Sequence, residues 1–249
     1  MRVPFRQGLG PLGERDFRLL FAATTITTLG DNVGRIALVF AVLELPSATA
    51  TDLGLVLAAG TIVQSVVVVF GGVLSDRLPR NLVLTGASLV QGAAQGVAAA
   101  VVLTGEATVP LLLALAVVYG AGAGLVIPAE VGLVPQTVSP ERLQQANAFQ
   151  GLSRNLVSIA GPGIGGVLLV VGSPGIGLAA DAASFGLCAV LLARIRVTPR
   201  RNTEERAGFF HDLREGWREF TRHDWLWSSF SCSGSRTWSG LAAGAYSDR

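Results

Sequence analysis

Charge is what this sequence has least of: 14% of its 249 residues are Asp, Glu, Lys or Arg, against ~25% in soluble domains. Lysine is missing altogether, so all 19 basic residues are arginine, a bias we ascribe to codon usage rather than to chemistry. Cysteine and histidine occur twice each. Cys188 lies in an apolar run and Cys232 in the tail, a spacing that builds neither a disulfide framework nor a metal site. His211 and His223 fall in a polar segment without a partnered cluster. There is no paired nucleophile and base, no metal-ligand cluster and no phosphate loop, so the sequence reads as a non-enzyme with no bound cofactor. A net charge of +2 leaves no footprint for nucleic acid.

What the chain does have is apolar length. Half of its residues are hydrophobic and the mean hydropathy is +0.53. Nothing from Leu53 to Ser75 is charged, and nothing from Asn81 to Gly105. Each run is long enough to cross the ~30 Å hydrocarbon layer of a bilayer. Between them sits a polar knot, GGVLSDRLPRN from Gly71 to Asn81, which must turn tightly at a membrane surface. Its Arg77 and Arg80 assign that surface to the cytoplasm, because short arginine-rich loops stay inside.

Extending this reading predicts an all-α, polytopic membrane protein with six spans: Leu19 to Leu43, Leu53 to Leu74, Leu82 to Leu103, Val109 to Ile127, Ala148 to Val171, and one from the SPG turn at Ser173 to Ala193. The basic segment Met1 to Arg18 precedes further apolar runs instead of a soluble chain, so it reads as a signal anchor, not a cleaved signal peptide. Glu44, Asp52 and Glu106 mark acidic outer loops, while Arg194, Arg196, Arg200 and Arg201 close the sixth span with the strongest positive-inside signal. Both ends of the six-span bundle are therefore expected in the cytoplasm, with the chain in the cell membrane (inner or plasma).

Polar residues inside spans are the candidates for function, since ionisable groups at mid-membrane are costly and normally face a cavity or a partner. Asp31 and Arg35 stand four apart on one helix face, where they can pair; a coupling site and a structural salt bridge both fit. Gln91 and Gln95 can line a cavity or stitch helices. Arg154 shares a face with Ser158, Gly161 and Gly165, and can attract an anionic group or balance Asp31 or Glu130. Glu130 is expected in an inner loop from Pro128 to Arg142. In SPERLQQAN, from Ser139 to Asn147, Ser139 is the expected N-cap, with Pro140 at the first helical position. Asp181 is expected near the outer end of the sixth span as an interface-level residue. In GPGIGG, Pro162 removes a backbone bond and kinks the helix, and Gly161 with Gly165 forms a small-residue seam; packing and gating both fit it.

The polar knot resembles the loop signature of the major facilitator superfamily, with Gly72, Asp76, Arg77 and Arg80 at the matching positions; Pro79 and Asn81 depart from it. The run Gly161, Pro162, Gly165, Gly166 resembles the second half of the fifth-span signature of the superfamily's exporters, and LGD at Leu29 to Asp31 resembles a first-span feature of the same siderophore and macrolide exporter branch. The resemblance implies one half of a twelve-span fold, two inverted three-helix repeats over residues 19–196. It implies efflux of a small amphipathic molecule driven by a proton gradient. Asp31 would be the coupling group, Asp76 with Arg77 and Arg80 a cytoplasmic latch, and the GPGIGG helix a pliant seam. The fourth span lacks the arginine that many members use for protons; Tyr119 is its most polar large side chain.

From Gly208 to Trp227, within a linker at 197–227, Phe210, Leu213, Trp217 and Phe220 recur at helical spacing opposite Arg214, Arg218 and Arg222, as in an amphipathic interfacial helix. Residues 228–249 are broken by Ser, Gly and Arg; a natural product that ends here and a truncated or out-of-frame tail both fit, and the abrupt change of composition favours the second. A half-bundle of this kind implies the lipid bilayer and a small-molecule substrate as partners. Either a second six-span half or another copy of the chain would complete it, and alone it would be an inactive remnant.

Overall fold

The computed structural model describes residues 10–46 and 48–196; the side chains at 70, 73–77, 170 and 171 fall outside that description. The expected amphipathic linker helix, the tail and the first nine residues therefore lie outside the described residues, as do the side chains of Asp76 and Arg77.

Six α-helices dominate the described residues, with short 3-10 turns at Gly10–Gly13 and Pro140–Arg142: α1 Arg15–Leu43, α2 Ala50–Arg77, α3 Arg80–Thr104, α4 Val109–Thr137, α5 Leu143–Val171 and α6 Pro174–Ala193. All six are long and apolar enough to cross a membrane; at 1.5 Å per residue they reach about 30 to 44 Å. The chain is a multi-pass membrane protein.

The turns follow from local chemistry. Asp52 accepts hydrogen bonds from the Thr49 amide and hydroxyl at 2.8 and 2.7 Å, while its own amide reaches back to Thr49 Oγ1. This reciprocal box opens α2. Gly105 closes α3 in the left-handed region at φ 76°, with Glu106 N bonded to Val101 O and Gly105 N to Val102 O, the pairing that a helix-ending glycine permits. Only Leu78 and Pro79 separate α2 from α3.

One expected boundary is wrong. The fourth helix does not end at Pro128 but runs through Pro128 and Pro135 to Thr137. A proline inside a helix forfeits one backbone bond and crowds the preceding turn. Membrane helices tolerate it where neighbouring groups make up the loss. Glu130 is consequently a buried helical residue, not part of a loop.

α2 packs chiefly on α4, α3 on α6 and α4, and α1 on α6 and α5. Exchanging the first three helices for the last three carries α2 on α4 into α5 on α1, and α1 on α6 into α4 on α3. That internal symmetry is what two three-helix repeats produce. Two apolar clusters fill the bundle. Phe17, Leu20, Leu133 and Leu192 centre the one near the start of α1, while Val42, Val56, Leu112 and Leu178 centre the one near its end. α2 and α5 are the least covered helices, and Ile62, Val66, Ile159 and Val167 stand on them exposed.

Candidate functional site

A cavity of about 420 Å³ opens between α1, α2, α3 and α4, lined by Asp31 and Arg35 among apolar walls that include Leu38, Val56 and Leu112. Its floor depends on a close helix crossing. A Cβ at Gly120 would strike the Gly60 carbonyl, and one at Gly124 would meet Gln64 O at 2.7 Å, so α2 and α4 touch through glycine where side chains would hold them apart. Gly60, Gln64 and Gly120 all line the cavity.

Asp31 Oδ1 accepts a 2.5 Å hydrogen bond from the Tyr119 hydroxyl. The tyrosine ring is fixed in turn by an edge contact with Phe185, centroids 5.9 Å apart at 77°. The expected Asp31–Arg35 pair is not made: among the described residues the ion pairs are Arg142–Glu14 and Arg154–Glu130. Helical spacing put the two on one face, but Arg35 stays exposed while the phenol of α4 takes the carboxylate. The cavity thus presents an acid held by a neutral donor, with an arginine one turn away.

Asp181 has a partner that the sequence did not announce. It is fully buried between helices at 0% exposure, and its Oδ2 accepts from Gln95 Nε2 at 2.5 Å. Ser184 Oγ lies 3.4 Å from its other oxygen. Gln95 both makes this bond and lines the cavity. Gln91 is buried one turn away, and its Oε1 has no hydrogen-bond partner.

The loop signature divides. Arg80 reaches back to α4 and donates to Gly132 O at 2.5 Å, which ties the α2–α3 turn to the fourth helix. A Cβ added at Gly72 would meet nothing within 4 Å; it is Gly71 that makes the close approach, with a Cβ there meeting Gly124 O at 3.1 Å.

In the fifth helix, Gly161 admits the Asn32 side chain, 2.6 Å from where a Cβ would lie, and Gly165 admits Ile36 and the Val33 backbone. The seam therefore joins α5 to α1. Gly166 faces open space, and α5 continues through Pro162 without ending. Between the same two helices, Thr25 of α1 and Ser153 of α5 share a 2.8 Å hydrogen bond; Arg154 of α5 donates to Glu130 Oε1 of α4 at 2.8 Å. Of the partners open to Arg154, it takes Glu130.

One cluster was not anticipated. Glu14 accepts from the amide and hydroxyl of Ser139 at 3.1 to 3.2 Å, and Arg142 Nη1 lies 3.7 Å from it while donating to Gly10 O at 2.9 Å. Ser139 makes no side-chain cap to its own helix; it binds the residue that precedes α1. The ER and SP letters were visible, but nothing local joins positions 125 residues apart.

The family model for transmembrane secretion effectors matches residues 6–227. Quinolone resistance protein NorA from Staphylococcus aureus strains MRSA252, Mu50 and N315 is 34% identical over 125 residues. That match covers 49% of this chain and 30% of each relative's length.

Proposed function

The chain belongs to the transmembrane secretion effector family of the major facilitator superfamily, and from that premise we propose that it supplies the amino-terminal half-bundle of a proton-coupled efflux transporter working by alternating access. The observation that carries this reading is the Asp31 carboxylate in the wall of the 420 Å³ cavity, held by Tyr119. A carboxylate there can hold either a proton or a cationic group of the cargo, but not both, and that exclusion is the elementary requirement of antiport. The apolar walls suit a small amphipathic cation. Similarity to proteins named for quinolone resistance supports a drug-like cargo. The arginine distribution supports a cell-membrane protein with its amino terminus in the cytoplasm.

α2 and α5 support a second element of the reading. They carry Thr61, Ser65, Arg154, Asn155 and Ser158 exposed among apolar side chains, and lipid does not accommodate a helix face with a mid-span arginine cheaply. That face suits a second six-helix half or another copy of the chain, and a chain without either would be transport-inactive. In this scheme Arg80, Asp76 and Arg77 latch the cytoplasmic end as the halves rock.

The test is dye transport in inside-out vesicles carrying the chain, energised by an acid interior. The expected result is uptake of a cationic dye that collapses with the proton gradient and is lost in Asp31→Asn. Wild-type transport by Asp31→Asn would sink the reading. Inactive vesicles regaining uptake with a co-expressed carboxyl-terminal half would favour the paired form.

A further inference from the structure

Gln95 is satisfied at one end only. Its Nε2 donates to Asp181 Oδ2, which places the amide nitrogen toward α6 and its carbonyl oxygen the other way. Among the described residues no group donates to that oxygen, yet Gln95 is 8% exposed and forms part of the cavity lining. Gly34 explains how the pair comes so near the cavity: a Cβ there would run into both the Asp181 carboxyl and the Gln95 amide, and Gly34 is itself a lining residue. The oxygen is not one of the sealed, unpartnered polar atoms of the described residues, so it stands accessible where Gln95 lines the cavity, on the side from which a donor can approach.

We propose that Asp181 is a positioning residue that holds Gln95 with its carbonyl oxygen toward the cavity, where it accepts a hydrogen bond from an N–H or O–H of the cargo. This rests on the reading of the cavity as the cargo site, and it narrows the class: cations that carry hydrogen-bond donors, one end at Asp31 and a donor at Gln95. Asp181 itself, sealed behind Gln95 and Gly34, touches no cargo.

Two probes separate the roles. Ethidium is a cation with aryl-amine donors; tetraphenylphosphonium is a cation of similar bulk with no N–H or O–H. Binding of each to the purified full chain in detergent is measured by fluorescence and by equilibrium dialysis. Gln95→Leu should weaken ethidium about five-fold, the loss of one hydrogen bond, and leave tetraphenylphosphonium unchanged. Asp181→Leu should do the same without altering any cargo-facing side chain. If that variant does not fold, Asp181→Asn keeps the shape but offers Gln95 a donor as well as an acceptor, and a selective loss of about two-fold is expected. Equal loss of both probes, or loss of neither, overturns the proposal. Asp31→Asn distinguishes the underlying reading, because it should weaken both probes together; a wild-type chain that binds neither contradicts the cavity reading, and the proposal falls with it.

Discussion

The Tyr119 hydroxyl reaches from α4 to Asp31 Oδ1 on α1 at 2.5 Å, so the acid in the cavity wall is anchored to a different helix from the one that carries it. Movement of α4 against α1 therefore changes the environment of the one carboxylate that, among the described residues, lines the cavity. That linkage is how a rocking motion of helices could be felt by a bound proton or cation.

Tyr119→Phe keeps the ring and its contact with Phe185 but removes the donor. Hydrogen bonds to charged groups contribute about 1.5 to 3 kcal/mol. The variant should fold, melt at a lower temperature in detergent, and bind tetraphenylphosphonium about ten-fold more weakly because Asp31 is no longer pre-set. Unchanged melting and binding would show that the bond is dispensable.

Gly120→Ala should be among the most damaging single-methyl changes in the chain. The added carbon meets the Gly60 carbonyl, which is backbone and cannot step aside, so α2 and α4 must separate at a cost of about 1 to 3 kcal/mol. Gly86→Ala has nothing near it and should stay within about 0.5 kcal/mol of wild type. Parallel melts of the two variants check the contrast.

Glu130 is buried and its charge is met by Arg154 at 2.8 Å. Removing the arginine alone leaves a buried carboxylate unpaired, and because the Arg154 side chain is itself 55% exposed the expected cost is about 1 to 3 kcal/mol, not the full value for a sealed pair. Adding Glu130→Gln to Arg154→Ala should recover most of it. A double-variant cycle of thermal melts gives the coupling; additive losses would mean that the two residues act independently.

Glu14→Ala removes the acceptor for the Ser139 amide. Hydrogen exchange at Ser139 should accelerate about ten-fold, corresponding to roughly 1.4 kcal/mol of lost protection, while amides in the middle of α3 keep their rates. Unchanged exchange at Ser139 would show that Glu14 does not hold the α4–α5 turn.

The six helices were legible because the physics that makes them is local: a charge-free run as long as the hydrocarbon layer has few alternatives. Asp31 was legible for the same reason, as a charge inside such a run. Asp181 was equally visible as a letter, but its burial against Gln95 was not, because the two lie 86 residues apart and no spacing rule brings α3 to α6. Glu130 was misplaced by reading Pro128 as a stop, where the surrounding helices carry the chain through. The Asp31–Arg35 pairing failed because helical periodicity places two side chains on one face without knowing that a tyrosine on another helix competes for the acid. Gly161 and Gly165 were read as a seam from their spacing; that the seam meets α1 at Asn32 required the fold.

The most direct measurement is proton release on cation binding. Tetraphenylphosphonium is added to the purified chain in weakly buffered detergent containing a pH indicator, across a pH series, for wild type and Asp31→Asn. If the Asp31 carboxylate holds a proton or a cation in turn, binding weakens as the pH falls, each binding event in the acid range releases a proton, and both effects vanish in Asp31→Asn. Binding that releases no proton at any pH, or the same release from Asp31→Asn, would contradict the account.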